Sequence, residues 1–201
     1  MPASAVPERY SNVAITLHWL IALGIIANIC LGLYFADLPR SDPNKFLLVQ
    51  THKSIGLTVL VLSLVRVGWR LMHPVPPLPA SMGPGLRFLA RATHFLLYVL
   101  IIAIPLSGWA LVSSSPLGLP TLYFGWFAWP HISFLADLPR AAKKPLVSEL
   151  ATVHIYLAWS AIVLIPIHIV GALYHHFIRR DEVLTRMLPL VGGGTTKMEE
   201  A

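Results

Sequence analysis

Two histidines fourteen positions apart, His154 and His168, stand in an apolar run from Leu150 to Ile178 that carries no Asp, Glu, Lys or Arg. As a helix rising ~1.5 Å per residue, this run is longer than a bilayer core is thick. Fourteen steps of roughly 100° bring the second side chain to within about 40° of the first. The two imidazoles therefore share one stripe, ~21 Å apart along the axis. An imidazole in lipid is costly unless something uses its nitrogen. One toward each membrane surface points to two metal centres stacked across the bilayer.

The remaining histidines sort by depth, counted from the middle of each apolar run. His18, on the first run, lies ~9 Å toward the side of the chain termini, and His168 ~8 Å toward that side. His52, on the second run, lies ~9 Å toward the opposite side, and His154 ~13 Å. These make two level pairs, His18 with His168 and His52 with His154. A planar macrocycle held between facing helices by one histidine from each needs this arrangement, so haem is the expected ligand. Zinc wants three or four ligands converging on one point, which two separated levels do not supply. Gly56, one turn after His52, and Gly171, near His168, are expected to make room for a porphyrin face. His94 lies at the depth of His18 and could ligate in its place. His73 and His131 are expected in solvated loops, and His175 and His176 at a helix end, where the dipole favours them.

The elements that position these groups follow from hydropathy. The chain has 201 residues, 56% hydrophobic and 12% charged, about half the charged fraction of a soluble domain. Four spans are expected, at about 13–35, 46–71, 86–112 and 148–178, as an all-α four-helix transmembrane bundle. The prolines of 37–43 and 73–79 make turns and a stiff connector. The long 113–147 loop is rich in Pro, Gly and aromatics, which suits a short interfacial or re-entrant segment. Residues 1–189 form one domain, and the Gly-rich 190–201 tail is expected to be disordered. No cleavable leader is expected, because the first apolar run is too long and lacks a cleavage site. Cys30 stands alone within the first span, which excludes an intrachain disulfide and a thiolate cluster.

The net charge of +6 does not indicate nucleic acid, since no basic run interrupts the apolar stretches. Nine Lys and Arg fall on the side of the termini and six opposite them, which places both termini in the cytoplasm. Lys53, Arg140, Lys143 and Lys144 then face outward, where they could attract an anion or simply anchor the spans. Arg66 and Arg70 close the second span, as membrane anchors or as partners of haem propionates. With both axial positions filled by histidine, an iron centre relays electrons and offers no open site. A haem-free protein whose histidines line a polar path is the contrasting class.

His18-Trp19, His52-Lys53-Ser54-Ile55-Gly56, Arg66 with Arg70, and His154 with His168 together resemble the bacterial cytochrome b561 family over about Arg9 to Pro189. The resemblance implies two haem b groups, with His18 and His168 on the inner iron and His52 and His154 on the outer iron. It counts against His94. The stretch from His168 through Arg180 is similar to the superoxide-oxidising branch of that family. That likeness implies superoxide as electron donor on the periplasmic side and ubiquinone as acceptor near the cytoplasmic side of the inner membrane, with His175 as the quinone contact. The 113–147 loop shows no close match. The alternative is a cytochrome b subunit that exchanges electrons between quinone and a separate redox partner, a hydrogenase or a soluble cytochrome.

Overall fold

A computed structural model describes residues 8–189; the expected disordered tail at 190–201 lies outside the described residues. Four helices are long and apolar enough to cross a membrane. The first, α1 (Asn12–Asp37), begins where Ser11 Oγ accepts from the Ala14 amide. It is followed by α2 (Lys45–Met72) and by α3 (Pro84–Ser113), which starts with a proline in its first turn, where no partner for the missing N–H is needed. The fourth long helix, α5 (Arg140–Tyr174), is preceded by the single turn α4 (Ser133–Ala136). Pro105 and Pro166 lie inside α3 and α5 without ending them. The helix begins at Arg140, eight residues before the expected start of the fourth span near 148, and carries Arg140, Lys143 and Lys144 in its first turns.

α1 packs on α2, α2 on α3, and α3 on α5. The packing is close at Gly24, where a Cβ would come within 2.9 Å of Val59 Cγ2. Midway along the bundle, Ile25, Leu100, Ile104 and Ala161 form an apolar core, flanked by Ile29, Leu157 and Leu164. The outward faces are apolar as well: Leu23 is 63% and Val163 58% exposed. Such a surface requires lipid rather than water around it.

The 113–147 loop folds into a hairpin of β1 (Thr121–Tyr123) and β2 (Phe127–Trp129), with Thr121 opposite Trp129 and Tyr123 opposite Phe127. Phe124 (φ 47°) and Gly125 (φ 78°) make its turn in the left-handed region. The hairpin is held by a polar ladder on one face of α2, at Gln50, Ser54 and Thr58. Gln50 accepts from the Leu122 amide (3.0 Å) and donates to Pro120 O (2.9 Å). Ser54 Oγ accepts from the Phe124 amide (2.9 Å), and Thr58 Oγ1 meets the Tyr123 hydroxyl (2.9 Å). Thr58 lies thirteen residues into α2, ~20 Å along it and near its middle. The Tyr123 hydroxyl thus reaches the middle of α2, while the strand backbone is held by Gln50 and Ser54 nearer that helix's start.

At the opposite end the chain closes on itself. α5 passes into a π-helical turn, His175–Arg179, and Arg180 (φ 53°) reverses the backbone. The tail then runs back across the bundle. Trp19 Nε1 donates to Met187 O (2.8 Å), Arg9 donates to Leu188 O, and Arg186 Nη1 donates to Pro77 O (2.9 Å). Both described ends of the chain thus lie on one side.

Candidate functional site

The structure brings together the two level pairs. The rings of His18 (α1) and His168 (α5) have centroids 6.2 Å apart with planes at 70°. Those of His52 (α2) and His154 (α5) are also 6.2 Å apart, at 79°. Both pairs bridge from the α1–α2 half to α5, one on each side of the apolar core. Two metal–nitrogen bonds of about 2.0 Å in line, plus ~1.1 Å from each nitrogen to its ring centre, separate two imidazole centroids by about 6.2 Å. Each pair thus has the spacing for a single metal ion between its rings. Among the described residues, no group of three or more His, Cys, Asp or Glu side chains is placed to hold an ion, which disfavours zinc. The residues fit a bis-histidine haem.

On the outer side (the end opposite the termini) both rings are fixed through Nδ1. His52 Nδ1 meets Asn28 O at 3.1 Å. His154 Nδ1 meets Ile104 O at 3.1 Å and Ser107 Oγ at 2.9 Å. A carbonyl only accepts, so both rings carry their proton on Nδ1 and leave Nε2 for a metal. The access has a shared cause. Four residues after each carbonyl stands a glycine, Gly32 after Asn28 and Gly108 after Ile104, and an added Cβ would lie 3.2 Å from Cε1 of His52 or His154 respectively. The missing side chain opens the helix surface to the ring. At Gly56 an added Cβ would lie 3.4 Å from the Asn28 amide, and at Gly171 it would meet nothing within 4 Å; the close contacts to the outer rings are made instead at Gly32 and Gly108. Their depth on the first and third spans, level with His52 and His154, was the available signal in the sequence.

On the inner side, Trp19 packs edge-on against His18, with centroids 5.4 Å apart. His94 of α3 stands 5.1 Å from His168, which is shorter than a shared metal ion allows, and its Nδ1 lies 2.6 Å from its own helix at Ala90 O. It neighbours the pair without the spacing that His18 has to His168. Arg66 Nη1 donates to Ala14 O (2.6 Å), one turn before His18. The Arg66 and Arg70 guanidinium groups lie 5.7 and 5.3 Å from the Tyr98 ring centre. With Ser11, Trp69 and His73 they line a small cavity that presents two guanidinium groups, the donors an anionic group would meet.

The outer cations divide. Arg140 and Lys144 are exposed on the first turns of α5, and Lys53 is half-buried beside His52. Lys143 is committed elsewhere, its Nζ donating to Ala136 O at 2.6 Å. His175 is buried beneath the returning tail, and its Nδ1 lies 2.6 Å from Asp181 Oδ2. Sequence reasoning missed Asp181, because only the reversal at Arg180 brings it back to the helix end. His73 stacks on Trp69 (3.8 Å). His131 departs from its expected solvated setting: its Nε2 is buried without a hydrogen-bond partner.

The chain matches the family model described as prokaryotic cytochrome b561 over residues 9–190. It is 40% identical to cytochrome b561 homolog 2 of Escherichia coli strain K12, over 90% of this chain and 92% of that one. It is 30% identical to the probable superoxide oxidase CybB of Yersinia pestis, over 90% and 97%. Cytochrome b562 of Cereibacter sphaeroides is 29% identical, over 89% and 94%.

Proposed function

The chain belongs to the prokaryotic cytochrome b561 family, and on that footing we propose that it carries electrons across the bacterial inner membrane from superoxide outside to ubiquinone inside. The observation that carries this reading is the pair of matched histidine couples, each with centroids 6.2 Å apart, at two levels of one bundle. In the proposal His52 and His154 hold an outer haem b, and His18 and His168 an inner one. Bound there, haem supplies a one-electron couple with no open coordination position.

The protein's own side chains do the rest. The Nδ1 contacts of His52 and His154 orient both rings and hold their tautomer. Arg140, Lys144 and Lys53 give the outer face a positive potential that raises the local concentration of an anionic donor. Lys143 contributes charge there while its ammonium stays anchored. Arg66 and Arg70 take a carboxylate such as a propionate in the cavity over Tyr98. Each superoxide gives up one electron and leaves as oxygen; ubiquinone takes two electrons and two protons. His175 is the proposed quinone contact. Its Nδ1–H points to Asp181, so Nε2 is the atom available to a quinone oxygen. The excess of Lys and Arg on the side of the termini puts both termini, and the quinone end, in the cytoplasm.

The test uses the purified full-length protein. Two haem b per chain and reduction by superoxide faster than superoxide dismutates are the expected results. A haem-free preparation from haem-replete cells ends the whole reading. Two haems that superoxide does not reduce, but quinol or a redox protein does, replace it with the cytochrome-subunit reading.

A further inference from the structure

The two histidine couples have the same spacing and different surroundings. On the outer side both Nδ1 atoms have acceptors: Asn28 O for His52, and Ile104 O with Ser107 Oγ for His154. Ser107 also spends its own hydrogen on Ile104 O at 2.7 Å. Its oxygen therefore has only lone pairs to offer His154, and the Nδ1–H must be the donor. Among the described residues, neither ring nitrogen of His18 or His168 has a protein hydrogen-bond partner. The charges differ in the same sense. Arg66 reaches the Ala14 carbonyl, one turn from His18, and so sets a cation on the side of the inner couple. Lys53 follows His52 but points about 100° further round the helix.

Both differences act on an iron between the rings. An imidazole that gives its Nδ1–H to an acceptor becomes a stronger electron donor at Nε2 and favours the oxidised metal. A nearby cation favours the reduced metal. We infer that Ser107, with the Asn28 and Ile104 carbonyls, holds the outer centre at a lower reduction potential than the inner one, whose potential Arg66 raises. Electron flow from the outer face toward the side of the termini is then downhill by construction, whatever the donor. Ser107 is a positioning residue: it touches the ligand and not the iron. The inference rests on the proposed haem ligation by these two couples.

The experiment is a spectroscopically monitored redox titration of the full-length holoprotein, in which the wave lost in His52→Ala marks the outer centre. In the unaltered protein that wave lies below the other. Ser107→Ala raises it by about threefold in the redox equilibrium, since Ile104 O still accepts; that is about 28 mV at 59 mV per tenfold for one electron. Ser107→Thr, which keeps the hydroxyl, restores it, and the inner wave stays in place in both. Arg66→Gln lowers the inner wave alone. The inference is overturned if the outer wave lies above the inner, or does not move in Ser107→Ala. Should Ser107→Ala fail to hold haem, an inner wave unmoved in Arg66→Gln overturns it. Fewer than two waves in the unaltered protein instead defeats the two-haem reading beneath it.

Discussion

Replacing Gly108 by alanine tests the outer site through a single methyl group. Built on the backbone, that Cβ lies 3.2 Å from His154 Cε1 and 3.5 Å from Nδ1. An ordinary contact needs ~0.2–0.8 Å more, so the ring or α3 must give by about 0.4 Å. Ligand positions tolerate about 0.5 Å before a site loosens, and here the displaced atom adjoins both ring nitrogens. Two energies oppose each other. Alanine in a helix gains about 1 kcal/mol over glycine, while overfilling a packed site costs about 1–3 kcal/mol. The net expectation is a loss of about 0–2 kcal/mol, concentrated on His154. Gly68 is the internal control: it lies in α2 with nothing within 4 Å of its added Cβ, so Gly68→Ala has the gain without the clash. The assay is haem per protein, the reduced-minus-oxidised spectrum and thermal unfolding of both variants in one detergent. On the proposed two-haem reading, Gly108→Ala should lose or alter the outer haem signal and keep the inner one, while Gly68→Ala changes neither. If the two variants behave alike, the glycine is not what admits His154 to its carbonyl.

Gly24→Ala should destabilise the bundle by about 0–2 kcal/mol, the overpacking cost less the helix gain, without touching either histidine pair, because its Cβ would come within 2.9 Å of Val59 across the α1–α2 contact; thermal melts with unchanged haem content check it. Ser54→Ala leaves the Phe124 amide without its acceptor and should loosen the hairpin by about 1–3 kcal/mol. Protease sensitivity between Leu119 and Trp129 rises if so, and stays at the unaltered level if the ladder is incidental. Asp181→Asn removes the carboxylate that fixes His175. On the proposed quinone role it should slow quinone reduction about tenfold or more with both haems retained, as steady-state turnover and the visible spectrum would show.

Much of this protein follows from order along the chain. Four apolar runs between Pro-rich connectors leave a membrane chain few arrangements, because lipid forbids unpaired backbone. The level pairing of His18 with His168 and His52 with His154 follows as well, since helical rise converts residue number into depth. The start of α5 at Arg140 was not legible, because hydropathy marks where lipid begins and not where the helix does. Nor was the hairpin's destination: Gln50, Ser54 and Thr58 read as scattered polar residues until Leu122, Phe124 and Tyr123 meet them.

What only the tertiary structure decided are contacts between elements whose rotation about their own axes the sequence leaves free. Depth could not tell His18 from His94; in the structure His18 stands 6.2 Å from His168, the spacing the outer couple also has, and His94 stands 5.1 Å from it. Depth could not show that Gly32 and Gly108 bare a carbonyl to each outer ring, or that Ser107 faces His154. One chain direction stacks the histidines, and four helices turned toward one another give the two couples different neighbours.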